Sequence, residues 1–406
     1  MVLIKHASVA GLGGAKRDIL LHEGKIVKIA ETIDCGACFE VVDAKGLVAF
    51  PGIVDLNVRV ENDQLSLDNL EKLYAATRKG GVSHFVLSPR TDPLIENRTF
   101  KALLAGELKQ RYPNIQLAIK ALRTPDKLNA ISTMVRNGIR IVQENSDING
   151  NLLRRIYEYS KMHGNLFFVF CENKILNDSG VMNEGEVSFR LGLPGISKIG
   201  EISEVAKVVQ MSLHYDVPTL FQALSTRRAV NLIADAKRRF EEIYAEVSVH
   251  HLVLDERACD GFNTYAKLNP PLRSPEDREK LLDELKAGNI DVLTALHSPK
   301  SIIHKDVAFA EAMNGIDAIE NYLSIAYTYL VRAGHIDWDR LATLMAYNPA
   351  KILGLKGVGA IAEGNAANLI LFDPNASFDV EEQTTPYFGQ CLYGKIVRTF
   401  FADHKS

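Results

Sequence analysis

Eight apolar runs of strand length, separated by helical stretches, constrain this chain more than any other feature. They are GIVDLNV (52–58), VSHFVLS (82–88), IQLAIKAL (115–122), GIRIVQ (138–143), NLFFVF (165–170), VPTLFQA (217–223), AEVSVHHLVL (245–254) and NIDVLTAL (289–296). Near-continuous apolar strands are buried on both faces, as in parallel sheets covered by crossover helices. The intervening stretches have the matching helical period: SLDNLEKLYAATRKG carries apolar residues at 67, 70, 73 and 76. Eight such units close into an α/β (β/α)8 TIM barrel more readily than they form an open doubly wound sheet. No G-x-G-x-x-G or G-x-x-x-x-G-K-[ST] fingerprint follows any of the runs, which removes the nucleotide-binding alternative.

The two ends of the chain read differently. Residues 1–51 and 357–406 alternate short strand patterns with turns, and neither has much core of its own. They are expected to pair into one small composite β domain beside a barrel spanning 52–356. A long helical tail, 307–334 with 341–354, is expected to close the barrel domain.

Composition narrows the partners. A net charge of −3 over 406 residues gives no case for a nucleic-acid or membrane partner, and no apolar stretch reaches spanning length. Five cysteines, at 35, 38, 171, 259 and 391, are an odd and scattered set that suits a reducing cytoplasm. Cys35 and Cys38 lack a second ligand pair nearby and precede a strand pattern rather than a helix, so they read as two bland thiols. The N-terminus has no signal-peptide pattern, and a cytoplasmic location is expected.

Chemistry in a barrel of this kind sits at the C-terminal strand ends. Here those ends carry Asn57/Arg59, Ser88–Thr91, Lys120–Thr124, Gln143–Ser146, Phe170–Asn173, Gln222–Ser225, His250/His251 and Leu296–Lys300. Several segments around them resemble the amidohydrolase superfamily, and within it bacterial type I dihydroorotase. VDAKGLVAFPGIVDLNV is similar to that family's entry into its first strand, VMNEGEVSFRLGLPGI to its NEGEVS segment, and EVSVHHLVLDE to its EVTPHH segment. KLNPPLRSPEDREKLLDELKAGNIDVLTALHSP resembles the stretch from NPPLR to TDHAPH, and LSPRTDPLIEN the MPNT loop. The resemblance implies a zinc-dependent cyclic amidohydrolase interconverting carbamoyl aspartate and dihydroorotate.

The departures fall on the metal ligands that the resemblance implies. The family's His-x-His stands as Asn57-Val58-Arg59, and its strand-five and strand-six histidines stand as Phe170 and Ala223. The strand-eight aspartate, ligand and general base in the family, stands as Leu296. The bridging aspartate after strand four falls in Gln143-Glu144-Asn145. Zinc needs three or four converging imidazole, thiolate or carboxylate donors. Phe170, Ala223 and Leu296 donate nothing, and Arg59 repels a cation. No cofactor is therefore expected, zinc on unconventional ligands such as Glu144, Glu172 and His297 being the alternative.

On the substrate side, Asn269, Arg273 and His297 keep the identities that the resemblance implies, and Arg90 stands at the asparagine of MPNT. Arg90, Asn269, Arg273 and His297 form a vestigial substrate-binding set, while solvated or loop-pairing charge is the bland reading of the same cations. The resulting expectation is a catalytically inactive homologue, with aspartate transcarbamoylase as the partner implied by the resemblance, or self-association. An active amidohydrolase with rebuilt ligands and a metal-free binder of a small anion are the two alternatives.

Overall fold

The computed structural model describes residues 1–36, 40–94 and 111–403. Eight strands form a parallel barrel wall: β6 (Ile53–Val58), β7 (Val82–Leu87), β8 (Ile115–Lys120), β11 (Ile141–Asn145), β12 (Leu166–Phe170), β15 (Thr219–Gln222), β16 (Ile243–Ser248) and β17 (Val292–Thr294). Each of the eight runs supplies one strand, as the strand–helix alternation predicts. Two short pairs decorate the strand-end loops, β9 (Leu122–Thr124) with β10 (Lys127–Leu128), and β13 (Met182–Asn183) with β14 (Gly195–Ile196).

A buried carboxylate bridges the seam between the first and last barrel strands. Asp55, wholly buried in β6, accepts hydrogen bonds from the Thr294 hydroxyl at 2.6 Å and the Ala295 N–H at 2.8 Å. The crossover helices are stopped as their sequences dictate. Ser66 caps helix Leu67–Lys79 by accepting from the Asn69 N–H at 3.1 Å. Helix Gly150–His163 ends at Gly164, whose φ of 65° is the left-handed cap conformation that glycine adopts without strain.

Both chain ends enter one seven-stranded sheet. β1 (Val2–Val9), β2 (Lys16–His22), β3 (Lys25–Ala30), β4 (Glu40–Asp43) and β5 (Val48–Pro51) are joined there by β18 (Leu369–Asp379) and β19 (Cys391–Phe400). β18 pairs antiparallel with β5, from Leu369 opposite Pro51 to Phe372 opposite Val48. The C-terminal segment thus clamps the strand that leads straight into the barrel.

Three local expectations change. AEVSVHHLVL is not strand throughout: β16 stops at Ser248, whose hydroxyl caps helix Val249–Val253 by accepting from the His251 N–H. The tail is helical only from Tyr322 onward, and residues 307–321 instead form irregular chain packed on the barrel mouth. Lys267 holds that segment, donating to the carbonyls of Phe309, Ala310 and Ala312 at 2.7–3.0 Å. The buried Phe309 and Ala312 carbonyls need a donor, and the buried ammonium supplies one to each and a third to the partly buried Ala310 carbonyl. Finally, Cys35 is disulfide-bonded rather than a free thiol. Cys38 lies outside the described residues, as does the end of LSPRTDPLIEN.

Candidate functional site at the barrel mouth

Phe170 ends β12, Ala223 follows β15 and Leu296 follows β17, and the three meet in one apolar cluster with Met182, Leu268 and Phe309. Phe170 is 5 %, Ala223 0 % and Leu296 6 % exposed, so the three form a packed apolar plug, with Leu268 and Leu296 at the edge that borders the mouth cleft. Fully burying a Phe or Leu side chain is worth about 1.5–3 kcal/mol. Ala223 and Leu296 also hold positive φ, 52° and 45°. Non-glycine residues there cost roughly 1–3 kcal/mol and persist only when their surroundings over-determine them. The determinants are visible: Ala223 N donates to Glu246 Oε1 at 3.1 Å, Leu224 N to the Glu246 carbonyl at 2.8 Å, and Leu296 N to Thr294 Oγ1 at 3.0 Å.

A polar layer lies against this plug. Asn57 donates through Nδ2 to Glu246 Oε1 at 2.9 Å, and both are buried. Burial pushes the Glu246 carboxyl up to about 8, helped by the charge of Asp55 and opposed by the Asn57 and Ala223 donors. Burial also raises Asp55, against the donors Thr294, Ala295 and Asn57. The sequence reading passed over Asp55 and Glu246, although an acidic residue inside an apolar strand run was the available signal.

The cations at the mouth separate into three environments. Arg59 and Arg90 line one cleft of about 310 Å³ together with Asp63, Asn269, Leu296 and Ser298. Arg90 lies over the Phe170 ring at 4.8 Å and donates to Asn145 Oδ1. Arg59 is an ion-pair neighbour of Asp63 at 3.8 Å, whereas Lys300 binds the other Asp63 oxygen at 2.6 Å. Asn269 donates to Glu172 at 3.1 Å, and Asn145 donates to the other Glu172 oxygen at 2.9 Å.

Arg273 sits elsewhere, donating to Ser225 Oγ at 2.9 Å, the Ile196 carbonyl at 2.9 Å and Asn183 Oδ1 at 3.2 Å. His297 faces a separate cleft bounded by Asp317, its Nδ1 3.4 Å from Asp317 Oδ1, and burial lowers it to about 3. The structure therefore joins Arg90 with Asn269 and leaves Arg273 and His297 out of that cleft. Arg90 and Arg273 are mostly enclosed by protein, so neither is the solvated charge of the bland reading. Sequence reasoning missed Asp63, four residues from Arg59, and gave Ser298 only within the strand-end run 296–300, which the loop after β17 brings to this cleft.

The residues present do not fit a zinc centre. Among the described residues no group of three His, Cys, Asp or Glu side chains could hold a metal ion. Glu144 spends its two oxygens on the N–H groups of Leu122 and Asn145, at 2.9 and 3.1 Å. Glu172 is taken by two amides, and His297 is turned to Asp317. His250 and His251 each use both ring nitrogens, His250 with Tyr387 and the Ala295 carbonyl, His251 with Ser248 and the Pro270 carbonyl.

Comparison with known proteins agrees with this architecture. The Amidohydrolase family matches residues 203–404. The dihydroorotase of Ruminiclostridium cellulolyticum is 32% identical over 393 residues, covering 93% of this chain and 91% of the relative. The dihydroorotase of Elusimicrobium minutum is 31% identical over 417 residues, covering 98% and 95%. Among solved structures, the L-hydantoinase (dihydropyrimidinase) from Arthrobacter aurescens superimposes with a TM-score of 0.84 at 20% identity, covering 99% of this chain and 94% of that one. That likeness concerns the fold alone. Among the described residues no helix is long and apolar enough to cross a membrane. With a barrel of this architecture, a sheet built from both ends and a whole-chain likeness to dihydroorotases, the chain belongs to the amidohydrolase family as a dihydroorotase-like member.

Proposed function

We propose that this chain is a catalytically silent, dihydroorotase-like component of cytoplasmic pyrimidine biosynthesis, retained as a noncovalent structural partner of aspartate transcarbamoylase. The observation carrying the reading is the plug. Three positions where the resemblance implies metal ligands hold Phe170, Ala223 and Leu296, packed into a single buried apolar cluster. Hydrolysis of a cyclic amide by the family's route needs a metal-activated water and a base, and neither has side chains to hold it here. Apolar side chains also remove the cost of burying unpaired donors, which supports retention of the fold for a purpose other than turnover.

Two measurements test the two halves of the proposal. Purified protein is assayed for bound zinc and for interconversion of carbamoyl aspartate and dihydroorotate. The proposal expects neither a stoichiometric metal nor turnover. One equivalent of tightly bound zinc with turnover lost in Glu144→Ala would instead establish an amidohydrolase with rebuilt ligands. Co-expression with the transcarbamoylase of the same organism, followed by sizing and activity assays, tests the partnership. Co-elution with a larger or more active transcarbamoylase is expected, and a transcarbamoylase indifferent to this chain ends that half.

A further inference from the structure

We propose that the Arg59–Arg90 cleft is a binding site for a small dianion, a dicarboxylate or a phosphoryl compound, that takes the place of a metal centre at the barrel mouth. The inference goes beyond the transcarbamoylase reading and does not depend on it.

The cleft holds two guanidinium groups whose charges are only partly met. Among the described residues the Arg59 guanidinium makes no hydrogen bond, and its acidic neighbour Asp63 stands 3.8 Å away while bound at 2.6 Å by Lys300. Glu172, the next carboxylate, is engaged by the Asn145 and Asn269 amides and lies 3.8 Å from Lys174. Arg59, Arg90 and Lys300 thus share three carboxylates, Asp63, Glu172 and Glu144, whose oxygens are engaged elsewhere except Asp63 Oδ1, which stands 3.8 Å from Arg59 without a hydrogen bond. Burial lowers Arg90 to about 10, the Arg59 charge adds to that lowering and the Glu172, Glu144 and Asp63 charges oppose it, so the two guanidinium groups feel each other. An anion between them replaces a repulsion by two charge-assisted contacts of the kind guanidinium forks make best.

A second observation points to the same ligand. Ser298 is 5 % exposed, lines this cleft, and its hydroxyl finds no hydrogen-bond partner among the described residues. A buried hydroxyl without a partner costs free energy unless something completes it, and an oxyanion would. The Ser298 position is fixed by Gly315, whose φ of 145° lets the chain fold back so that Ser298 N donates to the Ile316 carbonyl at 3.0 Å. A Cβ on Gly315 would stand 2.2 Å from the Ser298 carbonyl, so only glycine allows this approach. The cleft volume, about 310 Å³, admits a small dianion of a few carbons.

Succinate and inorganic phosphate serve as probes, with acetate and chloride as monoanions, at fixed ionic strength in calorimetry and thermal unfolding. The expected result is saturable binding of succinate or phosphate with Kd below about 1 mM, at least tenfold tighter than acetate. The dianion preferred separates the dicarboxylate from the phosphoryl source. Arg59→Gln and Arg90→Gln are each expected to weaken binding at least tenfold, while Arg155→Gln, an exposed helix arginine, leaves it unchanged.

Because the arginine variants could fail to fold, the wild-type protein is also treated with phenylglyoxal. Mass spectrometry should show Arg59 and Arg90 protected by the bound dianion and Arg155 not. No saturable response to either dianion, binding undiminished in the folded Arg59→Gln/Arg90→Gln protein, or no selective protection would overturn the site. None of these outcomes alters whether the chain co-elutes with transcarbamoylase.

Discussion

Asn57 donates through Nδ2 to Glu246 Oε1 at 2.9 Å, so an amide and a buried carboxyl face each other where the family resemblance implies a histidine ligand at position 57. A neutral donor suffices for a carboxyl that burial keeps protonated over much of the neutral range. The pair is thus a structural contact that titrates.

Burial raises the folded Glu246 carboxyl to about 8 from an ordinary 4.5. Between those values the folded chain holds a proton that the unfolded chain has released, so this group's contribution to stability is full below 4.5 and is lost as pH rises through about 8. Glu246→Gln removes the titration while keeping an acceptor oxygen. The variant should match wild type near pH 5 and exceed it by about 2–4 kcal/mol at pH 9, read from thermal unfolding at several pH values. A difference that stays flat with pH would refute the assignment.

The barrel seam depends on Asp55. Its carboxylate accepts from Thr294 Oγ1, Ala295 N and Asn57 N, all within 2.6–2.9 Å. Asp55→Ala leaves these buried donors without an acceptor, and a loss of about 3–5 kcal/mol is expected in urea unfolding. Thr294→Val removes one of the three Asp55 bonds and also the acceptor of the Leu296 N–H, and should cost about 1–3 kcal/mol. Equal losses in the two variants would show that the seam is not held by this carboxylate.

Lys267 ties residues 307–321 to the mouth through three carbonyls. In Lys267→Met those acceptors lose their donor, at about 1–3 kcal/mol for each group left unsatisfied. Hydrogen exchange of the 307–321 amides should accelerate at least tenfold, with β11 and β12 unaffected. Unchanged exchange in that segment would mean that packing, not the ammonium, holds it.

Restoring single ligands should not restore a metal centre. Asn57→His or Leu296→Asp alone supplies one donor against the three or four that zinc requires, and groups acting as a unit give little when replaced singly. Both variants are expected to bind no zinc by elemental analysis after exposure to excess metal. Phe170→Ala, which opens the plug, should cost about 3–5 kcal/mol. Stoichiometric zinc in either single variant would show that donors other than those identified converge at the mouth.

Much of the architecture was legible from one dimension. Eight apolar runs at crossover spacing determine a parallel barrel because burial on both faces and a helix between strands leave few other packings. Which side chains stand at the strand ends, and that Phe170, Ala223 and Leu296 cannot ligate a metal, also followed from residue type alone. The irregular segment 307–321 did not, because its apolar residues suit a helix locally and are claimed instead by the cluster at the mouth and the Lys267 carbonyl contacts.

Charge pairing belongs to the tertiary structure for the same reason. Arg90 and His297 at strand ends and Arg273 in the NPPLR segment look alike in the sequence as polar residues of one substrate-binding set. In space Arg273 is drawn to Ser225 and the Ile196 carbonyl, His297 to Asp317, and Arg90 to the cleft it shares with Arg59. Asp63 and Ser298, which line the cleft with Arg59, lie four residues away in one case and some 240 in the other, and a long-range neighbour has no sequence period to announce it. The sequence by itself determined which side chains stand at the ends of the barrel strands; only the folding of distant loops onto one mouth decided which charges face each other, because that depends on closure between segments that no local propensity encodes.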